Sequence, residues 1–167
     1  MIKDLKKIGI DHIGFVVKDR DKTIKKFDEL LNIKDFKTYI FKPNKAWSRG
    51  KLVEDYELKI GMTEENTMKG CKIEIIEAII NKGIHNEFVS KGMGGIHHIA
   101  YKVDNYDYWL GYFKNIEANF IFESETEDEL IGFRRCFYAE DIELGTVYEI
   151  MEKPYFKELR WCYEIWF

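Results

Sequence analysis

Two histidines stand in nearly repeated surroundings: His12 in IDHIGFVVKD (residues 10–19) and His98 in IHHIAYKVDN (residues 96–105). Two glutamate pairs match in the same way, since KIEIIE and VYEIME superpose Glu74 on Glu149 and Glu77 on Glu152. Imidazole nitrogens and carboxylate oxygens are ligands for divalent first-row cations. Two of each, related by an internal repeat, make a site with positions left for water or substrate oxygens. A buried carboxylate also needs a cation or a donor to stay charged, and such a site provides one.

Alternate residues of a strand share a face. His12 therefore lies with Ile10, Gly14 and Val16, while the apolar set Ile13, Phe15 and Val17 suits a face covered by a helix. His98 shares a face with Ala100. The repeat selects it over His97, which this parity sends into or past the helix layer. Glu74 and Glu77 have opposite parity, as do Glu149 and Glu152, so one glutamate of each pair can join the histidines.

These residues need strands to carry them, and the chain supplies the same order twice. After each histidine strand comes a helical stretch, with Ile24, Phe27, Leu30 and Leu31 on one stripe and Trp109, Leu110, Phe113 and Ile116 on the other. Asp19 or Asp21 can cap the first helix, and Asp104 or Asn105 the second. Three strand-like segments follow in each half: KTYIF, YELKIGM and KIEIIEAI, then NFIFE, RRCFYA and TVYEIME. The histidines are spaced further apart than the matching glutamates. The first half therefore carries extra residues, which a loop insertion absorbs.

Residues 43–50, 63–70 and 123–132 read as loops, and the acidic run at 123–129 as a solvated one. Residues 81–95 hold a short helix with Gly at both ends. The expected architecture is α+β: two βαβββ modules, about residues 8–80 and 93–153, whose curved mixed sheets enclose one metal-binding cavity. Both module helices lie outside. A linker helix at about 81–92 joins the modules, and a tail at 154–167 follows them.

Composition narrows the function classes. With 167 residues, 46% of them hydrophobic and 16% aromatic, the chain can bury one substantial core as a single domain. Its net charge of −4 comes from interspersed Lys and Glu, so there is no basic footprint for nucleic acid. Cys71, Cys136 and Cys162 are odd in number and form no CxxC pair. They read as free buried thiols rather than as a disulfide or zinc framework. No apolar run approaches the ~18 residues of a membrane span, and the N-terminus lacks a signal-cleavage pattern, so a soluble cytoplasmic protein is expected.

The two-module pattern, with His on the first strand and Glu on the last strand of each module, resembles the vicinal-oxygen-chelate superfamily over about residues 8–153. That superfamily includes glyoxalase I, methylmalonyl-CoA epimerase, extradiol dioxygenases and antibiotic-binding proteins. The stretch IEIIEAIINKGIHNEFVSKGMGGIHHIAYKVDN, from Ile73 to Asn105, and the later FYAEDIELGTVYEIME are most similar to methylmalonyl-CoA epimerases. The resemblance implies a glyoxalase-like fold with one divalent ion (Co, Ni, Mn or Zn) on His12, Glu74, His98 and Glu149. It also implies a small-molecule substrate such as a CoA or other acyl thioester, and a homodimer.

The implied reaction is proton transfer α to a thioester carbonyl. Glu149 is one base, and Glu57 on YELKIGM, which shares a face with Lys59, is the second. Arg134 and Arg135 are expected to bind a phosphate or carboxylate of the substrate, and Lys59 is a further expected substrate-binding residue.

The chain departs from the epimerase pattern where it has Glu74, because those enzymes commonly have Gln there and glyoxalase I enzymes have Glu. A glyoxalase I-like lyase acting on a hemithioacetal is thus the alternative. An extradiol dioxygenase, with two histidines and one carboxylate, is disfavoured by Glu74 as a fourth ligand. A non-catalytic small-molecule binding protein is disfavoured by retention of all four ligands.

Overall fold

The structure is a computed structural model that describes residues 5–64, 70–80, 82–92, 94–129 and 132–156. The first module comprises β1 (His12–Val17), α1 (Arg20–Leu31), β2 (Phe36–Phe41), β3 (Lys45–Ser48), β4 (Lys51–Leu52), β5 (Leu58–Thr63) and β6 (Lys72–Ala78). α2 (Gly83–Ser90) leads into the second module: β7 (Gly94–Val103), α3 (Tyr106–Asn115), β8 (Asn119–Asp128), β9 (Gly132–Asp141) and β10 (Thr146–Glu152). The two expected modules are thus present.

Their strands join in one mixed sheet, ordered β2-β5-β6-β1-β7-β10-β9-β8-β3-β4, that curls into a half-barrel around a cavity. In each module the first and last strands are parallel, β1 with β6 and β7 with β10, because a helix crossover separates them in the chain. The seam between modules is the antiparallel pair β1–β7. Four neighbouring strands, β6-β1-β7-β10, therefore form the centre of the sheet, and they are the strands that carry the matched His and Glu residues.

Local chemistry explains the module helices. Asp19 caps α1 by accepting from the Lys22 amide at 2.8 Å, and Asn105 caps α3 by accepting from the Tyr108 amide at 3.0 Å. α1 ends at Asn32, which has φ of 55°, a conformation Asn tolerates. Ile24 and Phe27 pack with Phe15, Val17, Ile73 and Ile75 on the convex face, as the strand parity required. The expected α1 stripe is shorter than four residues, however: Leu30 and Leu31 are 78% and 61% exposed. On α3, Trp109 and Phe113 are buried against Phe137 and Ile150, whereas Ile116 is exposed.

Several loop expectations are corrected. Residues 45–52 form a hairpin instead of a loop, and it crosses to the other module, where β3 pairs with β8. Its two-residue turn, Arg49-Gly50, has φ of 48° and 73°. That double-positive pattern matches the twist of the flanking strands. The extra residues of the first module are largely this hairpin, which continues the sheet beyond β8. The acidic run from Glu123 also belongs to a strand, since β8 continues to Asp128 and pairs with β9 in register to Gly132.

Cys71 and Cys136 are free but only half-buried, and Cys162 lies outside the described residues. Most of the expected 63–70 loop and of the tail also lies outside them; within the tail, Tyr155 bridges to Phe133. Among the described residues, no helix is long and apolar enough to cross a membrane.

Candidate metal and substrate site

Each of the four central strands contributes one side chain to a single buried cluster: His12 from β1, Glu74 from β6, His98 from β7 and Glu149 from β10. The ε nitrogens of His12 and His98 are 3.3 Å apart. Glu74 Oε2 is 3.3 Å from each of them, and Glu149 Oε2 is 3.2 and 3.3 Å from the same two atoms. Donor atoms at roughly 2.0–2.2 Å from one ion stand about 3–3.5 Å apart, so these spacings fit a divalent cation. The chemistry of the donor set agrees. Glu149 Oε2 is buried and makes no hydrogen bond among the described residues, although two imidazole nitrogens face it. Such an atom is costly to leave unmet, and a cation meets it.

Charge is balanced within the cluster. Burial opposes ionisation of Glu74 and Glu149, but the two imidazoles facing them hold both carboxyls low, Glu149 at about 2. Burial likewise opposes protonation of His12 and His98. The carboxylates nevertheless raise His98 above the ordinary 6.5, and His12 well above it, with Asp11 helping at His12. A cluster this strongly held binds either protons or a cation, since a metal needs the imidazoles neutral.

The outer partners of the two histidines differ. His12 Nδ1 donates to Asp11 Oδ2 at 2.9 Å, and Asp11 also accepts from Lys72 Nζ. Burial is outweighed by these two partners, so the Asp11 carboxyl is held at about 2. A carboxylate behind a ligating imidazole orients the ring and raises its basicity. Asp11→Asn is therefore expected to weaken divalent-metal affinity about 10–100-fold with the fold intact, as read by metal titration calorimetry.

His98 has His97 behind it instead, with the two Nδ1 atoms 3.1 Å apart. Strand parity put His97 in or beyond the helix layer over the convex face; the structure corrects this. Gly14 pairs with His98 and Phe15 with Ile96, so His97 is the extra residue of a β-bulge. A bulge breaks the alternation and lets two successive side chains lean the same way. His97 is consequently buried against Phe88 and His85 of α2.

Gly14 matters because it is opposite both Glu74 and His98 in the ladder. A Cβ there would overlap the His98 ring. Gly14→Ala should displace that imidazole and remove tight metal binding while leaving the circular-dichroism spectrum close to wild type. Wild-type metal affinity in this variant would disprove the packing argument.

The cluster opens onto a cavity of about 220 Å³. β5 lines it with Leu58, Ile60 and Met62, so the face carrying Glu57 and Lys59 is turned away. Glu57 precedes the strand and lies 4.0 Å from Lys42 Nζ, and Lys59 donates to Glu77 at 2.7 Å. The polar face of β5 is the convex one because the concave face packs on the apolar residues of α2.

Arg134 does line the cavity, with its guanidinium 5.7 Å from the centre of the Phe41 ring. Arg135 lines the cavity too, but its guanidinium is already engaged. It is committed to a two-pronged pair with Glu152 at 2.8 and 2.9 Å, to Asp107, and to stacking on Tyr106. The glutamates excluded by parity thus share a fate: Glu77 pairs with Lys59, and Glu152 with Arg135, from the neighbouring strand of the same module.

Sequence reasoning missed Asp11, whose place beside His12 was a usable signal, and His85, which sits on a short helix with no periodicity to mark it. Both line the cavity.

The Glyoxalase/Bleomycin resistance protein/Dioxygenase superfamily model matches residues 11–137. No curated protein matches the chain. Among solved structures, a Streptomyces coelicolor methylmalonyl-CoA epimerase variant in complex with 2-nitronate-propionyl-CoA is similar at 17% identity. The match covers 86% of this chain and 96% of that one, with a TM-score of 0.60. A Mycobacterium tuberculosis methylmalonyl-CoA epimerase is 16% identical over 91% of each chain, with a TM-score of 0.61. A hypothetical protein from Bacillus halodurans is 20% identical over 88% of this chain and 95% of that one, with a TM-score of 0.62. At these identities the likeness concerns the fold, whereas the matched family model spans both histidine strands and the first glutamate strand. The chain therefore belongs to the Glyoxalase/Bleomycin resistance protein/Dioxygenase superfamily.

Proposed function

We propose that the protein is a metal-dependent enzyme that moves a proton on a carbon next to a thioester or related carbonyl. The observation that carries this reading is the cluster of His12, Glu74, His98 and Glu149, with Glu149 Oε2 unmet, at the wall of a cavity of about 220 Å³. The four side chains would hold one divalent ion (Co, Ni, Mn or Zn). When bound, that ion supplies Lewis acidity to substrate oxygens. Glu149, as a carboxylate facing the cavity, accepts the α-proton and returns it. Arg134 offers a cation to a substrate carboxylate or phosphate. The apolar wall of Leu58, Ile60 and Phe122 excludes water from the reacting carbon.

Epimerisation of an acyl-CoA is the first form of this reaction to test, in line with the fold shared with methylmalonyl-CoA epimerases. The placement of Glu57 outside the cavity favours a second form, a one-base isomerisation of a hemithioacetal of the glyoxalase I type, for which Glu74 is also the familiar ligand. Deuterium incorporation from D2O at the α-carbon of methylmalonyl-CoA, alongside thioester formation from a hemithioacetal, separates the two. Metal-loaded protein that exchanges no α-proton on either substrate class would leave a non-catalytic small-molecule binder as the account.

A further inference from the structure

Of the four histidines in the chain, His12 and His98 belong to the cluster and His97 backs His98. The fourth, His85, has no role in the reaction described above. It is 1% exposed on α2 and lines the same cavity. Its Nδ1 is hydrogen-bonded to the hydroxyl of Tyr56, a residue that does not line the cavity. Its Nε2 is buried and has no hydrogen-bond partner among the described residues. This cavity-lining residue thus carries one nitrogen satisfied by the fold and one left unmet. The Tyr138 ring neighbours both His85 and the metal cluster, with its centre 5.6 Å from the His85 ring and 4.9 Å from that of His98.

A buried imidazole nitrogen left unpaired costs free energy, and the fold does nothing to relieve it. Phe122, Tyr138 and His97 surround the ring without offering Nε2 a hydrogen bond. Burial, followed by the proximity of His97 and His98, pushes His85 well below its ordinary 6.5, and the charges of Glu74 and Glu149 do not reverse this. The ring is neutral, so it donates or accepts a hydrogen bond but provides no countercharge. An anionic group would also meet Glu74 and Glu149 nearby.

We propose that His85 is a ligand-recognition residue, whose Nε2 hydrogen-bonds an uncharged oxygen, carbonyl or hydroxyl, of the small molecule held at the His12–Glu74–His98–Glu149 cluster. This rests on the reading of the cavity as the substrate site. It narrows the substrate class to molecules that carry a neutral polar oxygen a short distance from the metal-bound end.

The probes are short straight-chain hydroxamates, which chelate a divalent ion through two oxygens, prepared with and without a terminal hydroxyl. Binding to metal-loaded, full-length protein is measured by calorimetry. The wild type should bind the hydroxylated member of the best-fitting pair roughly five- to tenfold more tightly, the factor one net hydrogen bond supplies. The Tyr56→Phe, His85→Phe double variant removes both ends of the internal hydrogen bond, so no new orphan is left, and it should bind the two members equally. With histidine nitrogens labelled in the unsubstituted protein, the Nε2 resonance of His85 should shift on adding the hydroxylated probe and stay in place with the other.

A wild type with no preference between the members of any pair overturns the proposal, as it would if a bound water satisfied Nε2. So does an Nε2 resonance unmoved by the hydroxylated probe, or a double variant that keeps the wild-type preference. Hydroxamate binding involves no proton abstraction. A protein that passes this test yet exchanges no α-proton refutes the catalytic reading alone.

Discussion

Replacing His98 by alanine should abolish tight metal binding and α-proton exchange together. The ring supplies the central contact of the cluster, 3.3 Å from His12 Nε2 and 3.3 Å from a carboxylate oxygen of both Glu74 and Glu149. Without it, two ionised carboxylates and one imidazole remain around a hole. Loss of an outer-shell partner typically costs 10–100-fold in metal affinity, and loss of a ligand should exceed about 100-fold. His12→Ala should behave alike, because the twofold relation of the modules gives the rings equivalent places. Metal content after dialysis and deuterium exchange are the two readouts. A His98→Ala protein that keeps stoichiometric metal at wild-type affinity would show that the cluster is not the metal site.

Metal should stabilise the fold by an amount that grows with pH. For the metal-free protein, His12 and His98 have raised folded-state values. Their stabilising contribution is therefore full below the unfolded value near 6.5 and is lost as pH rises through the raised ones. Glu74 and Glu149 are depressed, so their contribution is full above about 4.5 and is lost as pH falls toward their folded values, about 2 for Glu149. The metal-free cluster thus stabilises most between about pH 4.5 and 6.5.

As pH rises through the raised folded-state values the imidazoles lose their protons, and the two carboxylates face each other without compensation. The same loss frees the ligands for a cation. With free metal 100-fold above Kd the gain is about 2.7 kcal/mol, or roughly 5–10 °C in Tm for a chain of this size. Thermal melts with added divalent metal or with chelator, run from about pH 6 to 8.5, should show the two curves separating as pH rises. A separation that shrinks with pH would mean that protons and metal do not compete for these residues.

The repeat and the two-residue period of the strands were enough to place His12 on the opposite face from Phe15, to pair it with His98, and to separate Glu74 from Glu77 and Glu149 from Glu152. These relations are local: they follow from backbone geometry once a segment is extended, whatever surrounds it. The helix caps were legible for the same reason to within two candidates each, Asp19 or Asp21 and Asp104 or Asn105, since a cap acts within three residues of itself. Tertiary structure alone decided the rest.

Alternation says which residues share a face but not which face a curved sheet turns inward. Glu57 and Lys59 were therefore grouped correctly, yet they stand on the convex side once Leu58 and Ile60 pack under α2. His97 escaped the parity rule because a bulge appears only when β7 is matched against β1. The hairpin at 45–52 could be joined to β8 only through pairing between residues far apart in the chain. Arg134 and Arg135 are adjacent and chemically alike. Both line the cavity, yet Arg135 is tied to Glu152 and Asp107 while Arg134 lies over the Phe41 ring, a difference that only the closed sheet reveals.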